Sequence, residues 1–136
     1  MPQKISYEFD TVRLWSERGI LFCQFLGGNI NHQLIEKDVH QYLEIIGQLA
    51  KGECMPLLVD LRDVVGSFSI DAAKILINNK SYQKNILCEA FVTNKINNKL
   101  LVLSYKRIYE PDKQYRIFNT FKEALEYCEA EKNVKI

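Results

Sequence analysis

Asp60 and Asp63 stand three residues apart in PLLVDLRDVV, where an apolar run gives way to charge. Two carboxylates so placed could act as a general acid and base, or supply half of a metal site. Neither chemistry is complete. No nucleophile with a neighbouring histidine accompanies them, and Arg62 between them offers an ordinary ion-pair partner. The pair is therefore read as part of a ligand or partner surface, and no catalytic residue is assigned. His32, Glu36 and His40 are each four apart, a spacing that lines one side of a helix. A metal there would need a further ligand and a pocket, and polar helix faces commonly carry such residues. No metal and no cofactor are expected. Cys23, Cys54, Cys88 and Cys128 form no close pair, so they read as reduced core or boundary thiols.

Two further stretches carry candidate contacts. Ser69, with Asp71 two residues on, stands where a helix N-cap belongs, and Ser67 lies just before it. The segment from Asn94 to Arg116 holds Lys95, Lys99, Lys106, Arg107, Lys113 and Arg116 against only Glu110 and Asp112, with Tyr105, Tyr109 and Tyr115 interleaved. Lys95 and Lys99 join Asp60 and Asp63 as the candidate ligand or partner surface. The whole chain carries a net charge of only +1, which argues against nucleic acid as its main partner.

The elements that must position these residues follow from hydrophobic patterning. Ile5, Tyr7 and Phe9 alternate with polar residues, Val12 to Trp15 continues in β-prone types, and Ile20 to Leu26 is a further strand. Glu17-Arg18-Gly19 predicts the turn of an antiparallel hairpin, with Gly19 at positive φ. Asn31 is expected to cap a helix whose buried stripe runs through Ile35, Val39, Leu43, Ile46 and Leu49, ended by Gly52. Leu57 to Val59 predicts a central buried strand, followed by a helix burying Ala72, Ala73, Leu76 and Ile77 and loosening at Asn78-Asn79. Cys88 to Val92 is another strand. Thr93 or Asn94 would cap a third helix through Ile96, Leu100, Leu101 and Leu103, its exposed side basic. Tyr115 to Phe118 is the last strand, and Thr120 with Glu123 forms a capping box for a helix burying Ala124, Leu125 and Cys128.

Length and composition suit this plan. The chain of 136 residues, 47% apolar and 26% charged, fits one domain over residues 1–136. The N-terminal MPQKISYEFD lacks an apolar signal core, and no apolar run approaches the roughly 20 residues of a membrane helix. A cytoplasmic chain without an integral membrane segment is expected.

LLVDLRDV followed by a Ser-headed helix, then AFVTN, then RIFNTFKEALEYC, resembles the bacterial SpoIIAA-like, or STAS-like, family, including STAS/SEC14-type proteins of unknown function. The resemblance spans about Val12 to Cys128. It implies an α/β STAS (SpoIIAA-like) fold: a mixed sheet with an N-terminal antiparallel hairpin and about four helices. It implies a noncatalytic regulatory module with an unidentified protein partner, and a homodimer as one assembly. Its alternative is a SEC14-like domain for a small apolar ligand or lipid, with a pocket lined by Phe22, Phe25, Phe68 and Phe91. In anti-sigma-factor antagonists of this fold a serine at the start of the helix after the central strand is phosphorylated. That implies a role for Ser69, with Ser67 and Asp71 beside it, although Ser67-Phe68-Ser69-Ile70-Asp71 lacks the glycine of the family's Asp-Ser-Ser/Thr-Gly sequence.

Overall fold

The computed structural model describes residues 6–9, 12–25, 31–34, 36–63, 65–68, 70–110 and 113–134, with side chains described for 12–25, 38–63, 72–110 and 113–133. β1 (Ser6–Phe9), β2 (Val12–Glu17) and β3 (Ile20–Phe25) form an antiparallel meander. The two residues between β2 and β3 are Arg18 at φ 54° and Gly19 at φ 76°. Two positive φ values in a two-residue loop make a type I′ turn, whose twist matches that of the strands it joins. The Lys132 ammonium donates to the Arg18 carbonyl at 2.7 Å, tying this turn to the last helix.

β4 (Asn31–Leu34) and α1 (Glu36–Ala50) follow, then β5 (Met55–Asp60) and β6 (Val65–Phe68). The chain continues through α2 (Ile70–Asn78), α3 (Lys80–Asn85), β7 (Ile86–Val92), α4 (Ile96–Tyr109), β8 (Tyr115–Phe118) and α5 (Phe121–Val134). Six strands make one mixed sheet in the order β1-β2-β3-β5-β7-β8, with β3, β5, β7 and β8 parallel. Every residue of β5 is buried, as its unbroken apolar run and central place require. β4 and β6 pair in parallel as a separate two-stranded sheet, matching His32 with Gly66 and Gln33 with Ser67.

Strand alternation divides the core in two. Leu21, Cys23, Phe25, Leu57 and Val59 meet Val39, Leu43 and Ile46 of α1, Ala72 of α2 and Tyr82 of α3. Ile20, Phe22, Leu58, Ala90 and Val92 meet Ala124 and Cys128 of α5 on the opposite face. The Thr120–Glu123 capping box forms, with the Glu123 amide donating to Thr120 Oγ1 at 3.2 Å.

Four sequence expectations require correction. Asn31 opens a strand rather than capping α1, so His32 does not share a helix with Glu36 and His40. Asn79 does not merely end a helix: its side chain accepts from the Tyr82 amide at 2.8 Å and caps the short α3, which brings the helices to five. The cap position of α4 is Lys95, and neither Thr93 nor Asn94 fills it. Finally, α4 is turned about its axis from the expected orientation. It buries Asn98, Val102 and Lys106 and exposes Ile96, Leu100 and Leu103.

The cause is a buried ionic cluster. Lys106, 1% exposed, donates to the carboxylate of Glu89 on β7 and, at 3.0 Å, to Glu110. Glu89 accepts a second bond from the Tyr82 hydroxyl, and Glu110 accepts from Gln83 Nε2 at 2.8 Å. The rings of Phe91, Tyr105 and Tyr115 lie 5.4–5.7 Å from the Lys106 nitrogen. Burial, together with these carboxylates, raises the Tyr82 and Tyr105 hydroxyls above their ordinary range, so both remain protonated donors. Lys106→Met would strand two carboxylates in the interior. It should destabilise the fold by about 3–5 kcal/mol in urea unfolding, and Glu89→Gln in that background should recover part of the loss. Arg107→Met, one residue along on the solvent side, should change stability by less than about 0.5 kcal/mol.

Candidate functional site

In parallel α/β sheets the carboxyl ends of the strands are where ligands and partners are met. Here those ends belong to β3, β5 and β7. The apolar run of β5 finishes at Asp60, which is 3% exposed. Asp60 Oδ2 accepts from Gln24 Nε2 at 2.9 Å and from Arg62 Nη2 at 2.7 Å. Its Oδ1 accepts from the Arg62 amide at 3.1 Å and from Arg62 Nε at 2.9 Å. The Arg62 guanidinium in turn lies 5.2 Å from the centre of the Phe121 ring on α5. Burial alone would push the Asp60 carboxyl up, but the bonds from Arg62 and Gln24 and the Arg62 charge outweigh it and hold the group below the usual carboxylate range.

The loop after Asp60 is fastened on its other side by the start of α4. The Leu61 amide donates to the Val92 carbonyl at 2.8 Å, and the Leu61 carbonyl accepts from Asn98 Nδ2 at 3.2 Å. Lys95 donates its ammonium to the Arg62 carbonyl. Thr93 Oγ1 accepts from the Lys95 amide at 3.1 Å and from Asn98 Nδ2 at 3.2 Å. Asp60, Asp63 and Lys95 are thus brought to one end of the sheet, and Lys99 follows one turn later on α4. Their surroundings differ: Asp63 is exposed while Asp60 is closed in. Ser67 lies on β6 and Asp71 in the first turn of α2, whereas Ser69 lies outside the described residues.

Gln24, Thr93 and Asn98 hold this end together; the sequence reading assigned no role to Gln24 or Asn98 and cast Thr93 only as a candidate helix cap. A signal existed for Gln24, the one polar residue within an otherwise apolar strand. Lys106, counted from sequence among the exposed cations, is instead buried, and the signal for its partner was Glu89 inside CEAFV. Among the described residues no group of three or more histidine, cysteine, aspartate or glutamate side chains could hold a metal ion. The buried thiols are poor nucleophiles near neutral pH: burial first, then nearby negative charge, pushes Cys23 and Cys128 up to about 12.

Of the four phenylalanines expected to share a pocket, the three whose side chains are described do not converge. Phe22 faces α5, Phe25 and Phe91 face the α1 side, and the side chain of Phe68 lies outside those described. A different cleft, of about 240 Å³, opens between the β2–β3 hairpin and α5. It is lined by Trp15, Ile20, Phe22, Phe121 and Leu125 together with Glu17, Arg18 and Glu129. Trp15 stacks on Phe22 at 4.9 Å between centres, and Phe22 lies 6.1 Å from Phe121, nearly parallel.

This carboxyl-end cluster and the buried cluster around Lys106 share a pH signature. Asp60 and Glu110 are both held below their ordinary values; at Glu110, burial is outweighed by the charge of Lys106 and bonds from Gln83 and Lys106. A lowered folded-state value means that stability is fully present above the unfolded carboxylate range, about pH 4, and is lost as pH falls through the lower folded value. The midpoint of thermal unfolding, followed by circular dichroism, should therefore fall steeply below about pH 4. Asp60→Asn should lower stability by about 1–3 kcal/mol at neutral pH and flatten that acid limb. An acid limb identical to that of the parent would remove Asp60 from this account.

Comparison with known proteins agrees with the architecture. No curated protein matches the chain. A solved structure of an uncharacterized protein from the DUF3478 family, with a SpoIIAA-like fold, from Shewanella loihica, superposes with a TM-score of 0.60. It is 13% identical and covers 94% of this chain and 97% of its own, a likeness of fold alone. The family described as a domain of unknown function (DUF7793) matches residues 14–132, from within β2 to the last turn of α5, and the chain belongs to that family.

Proposed function

We propose that the chain is a noncatalytic binding module of STAS type, which meets a protein partner at the carboxyl ends of β3, β5 and β7. The observation that carries this reading is the closure of Asp60. Both of its oxygens are occupied by Gln24 and Arg62, so the group best placed for acid–base work has no lone pair directed at a substrate. The neighbouring polar groups of Thr93, Asn98 and Lys95 hold the loop backbone in the same way. Such an end offers a fixed shape and charge rather than a reactive centre. Ser67, Ser69 and Asp71 adjoin it in sequence, at the junction of β6 and α2, and are the proposed contact or modification segment. A phosphate there would add charge beside a helix start and alter the partner surface.

The cleft beside α5 favours a second reading, a small apolar ligand. Its aromatic lining is the kind of surface that holds such molecules.

Native mass spectrometry of the protein purified from its own host separates the two. A protein complex, or a phosphorylated species whose complex is gained or lost, is expected. Ser69→Asp should change the affinity for a co-purified partner by about tenfold or more, a typical size for a charge placed in or beside an interface. A retained small apolar molecule with no protein partner would move the assignment to the second reading. Partner binding identical for Ser69→Ala and Ser69→Asp would remove the switch.

A further inference from the structure

We propose that the outer face of α4 is the docking surface for an acidic, amphipathic helix of a protein partner. The proposal rests on the binding-module reading and specifies both the surface and the character of the partner. Ile96 is 70% exposed, Leu100 57%, Leu103 46% and Ile108 68%. At about 100° per residue, Ile96, Leu100 and Leu103 fall in one line along the helix, the i, i+4, i+7 spacing that seats a second helix. Isolated exposed leucines are ordinary, but a line of them on a helix that buries a lysine and an asparagine is not.

The exposure is enforced from within. Asn98 is fastened to Thr93 and the Leu61 carbonyl near the start of α4, and Lys106 to Glu89 and Glu110 near its end. Rotating the helix to bury its leucines would leave Glu89 in the interior without its cation. The apolar line is therefore presented to solvent by the same bonds that fix the helix.

Charge selects the occupant. INNKLLVLSYKRIY contains no acidic residue; Lys99 lies beside the apolar line and Arg107 continues it one turn beyond Leu103. Carboxylates are what such a rim lacks. A second copy seated two-fold on this face would bring Lys99 and Arg107 of both copies into one interface, where α4 supplies no acid to answer them. A lipid surface is the weaker match, because the line of Ile96, Leu100, Leu103 and Arg107 has no aromatic anchor.

The test uses the full-length, isotopically labelled protein. The probe is a synthetic helix of about 18 residues, five turns, with leucines along one face and glutamates flanking them. Controls are the same peptide with lysines for glutamates and a scrambled glutamate peptide. Amide shifts confined to residues 96–108, with affinity at least about tenfold above both controls, are expected. Leu100→Ser with Leu103→Ser should abolish binding without lowering the thermal midpoint, and Arg107→Glu should weaken it while leaving the fold intact. No binding, or equal binding of the lysine or scrambled peptide, overturns the proposal. Shifts at β6 and α2 instead would overturn it while leaving the binding-module reading standing. A dimer in sedimentation velocity that the double serine variant dissociates would assign the face to a second copy. Sedimentation with phosphatidylglycerol vesicles, without peptide binding, would assign it to lipid.

Discussion

The buried ammonium of Lys106 between Glu89 and Glu110 is the constraint on which the arrangement of the second half of the chain depends. It joins β7, α4 and the residue that follows α4, and through Tyr82 and Gln83 it reaches α3. Ions in a protein interior are favourable only when every charge is answered, so the cluster works as a set. Each carboxylate has the lysine and at least one neutral donor, and the lysine has two carboxylates and three aromatic faces. Lys113 adds a second cation near the set, donating to the Ile86 carbonyl at 2.8 Å with its nitrogen 5.7 Å from the Tyr82 ring. Replacing the cluster with aliphatic residues could pack as well, but would not specify one rotation of α4. A lysine that must face a glutamate admits a single orientation, whereas a leucine stripe tolerates small slips.

That difference explains what could be read in advance. The strands were legible because their burial follows local apolar runs: β5 as a central strand, Gly19 in the hairpin turn, Thr120 and Glu123 in the cap of α5. These depend on neighbours in sequence. The rotation of α4 depends on Glu89, seventeen residues before its partner lysine, and on a choice between burying three aliphatic side chains and satisfying one buried acid. Periodicity counts only the first of these. It therefore placed Ile96, Leu100 and Leu103 inside and Lys106 outside, the reverse of the structure. The β4–β6 pair was missed for a related reason, since two four-residue strands such as NHQL and VGSF carry almost no apolar alternation and exist only through each other.

The candidate site shows the same division. The position of Asp60 at the end of β5 was legible, because strand ends are marked by the loss of apolar residues. Its closure was not, since that depends on Gln24 from a strand thirty-six residues earlier. An exposed Asp60 with free lone pairs would have been a fair acid–base candidate. Closed by Arg62 and Gln24, it becomes a staple that shapes the loop before β6. Arg62 then carries the charge outward, with its flat face towards Phe121.

Both polar clusters thus use charge to fix backbone, and each leaves a particular surface behind. The Asp60 cluster closes the sheet end into a rigid, mixed-charge rim. The Lys106 cluster turns an apolar helix face to solvent beside that rim, with Asn98 common to the loop and the helix. Fully exposing a leucine-sized side chain forgoes about 1.5–3 kcal/mol of burial, and no bond on the inner face of α4 would be lost if the outer leucines were polar. The fold alone therefore does not require Leu100 and Leu103.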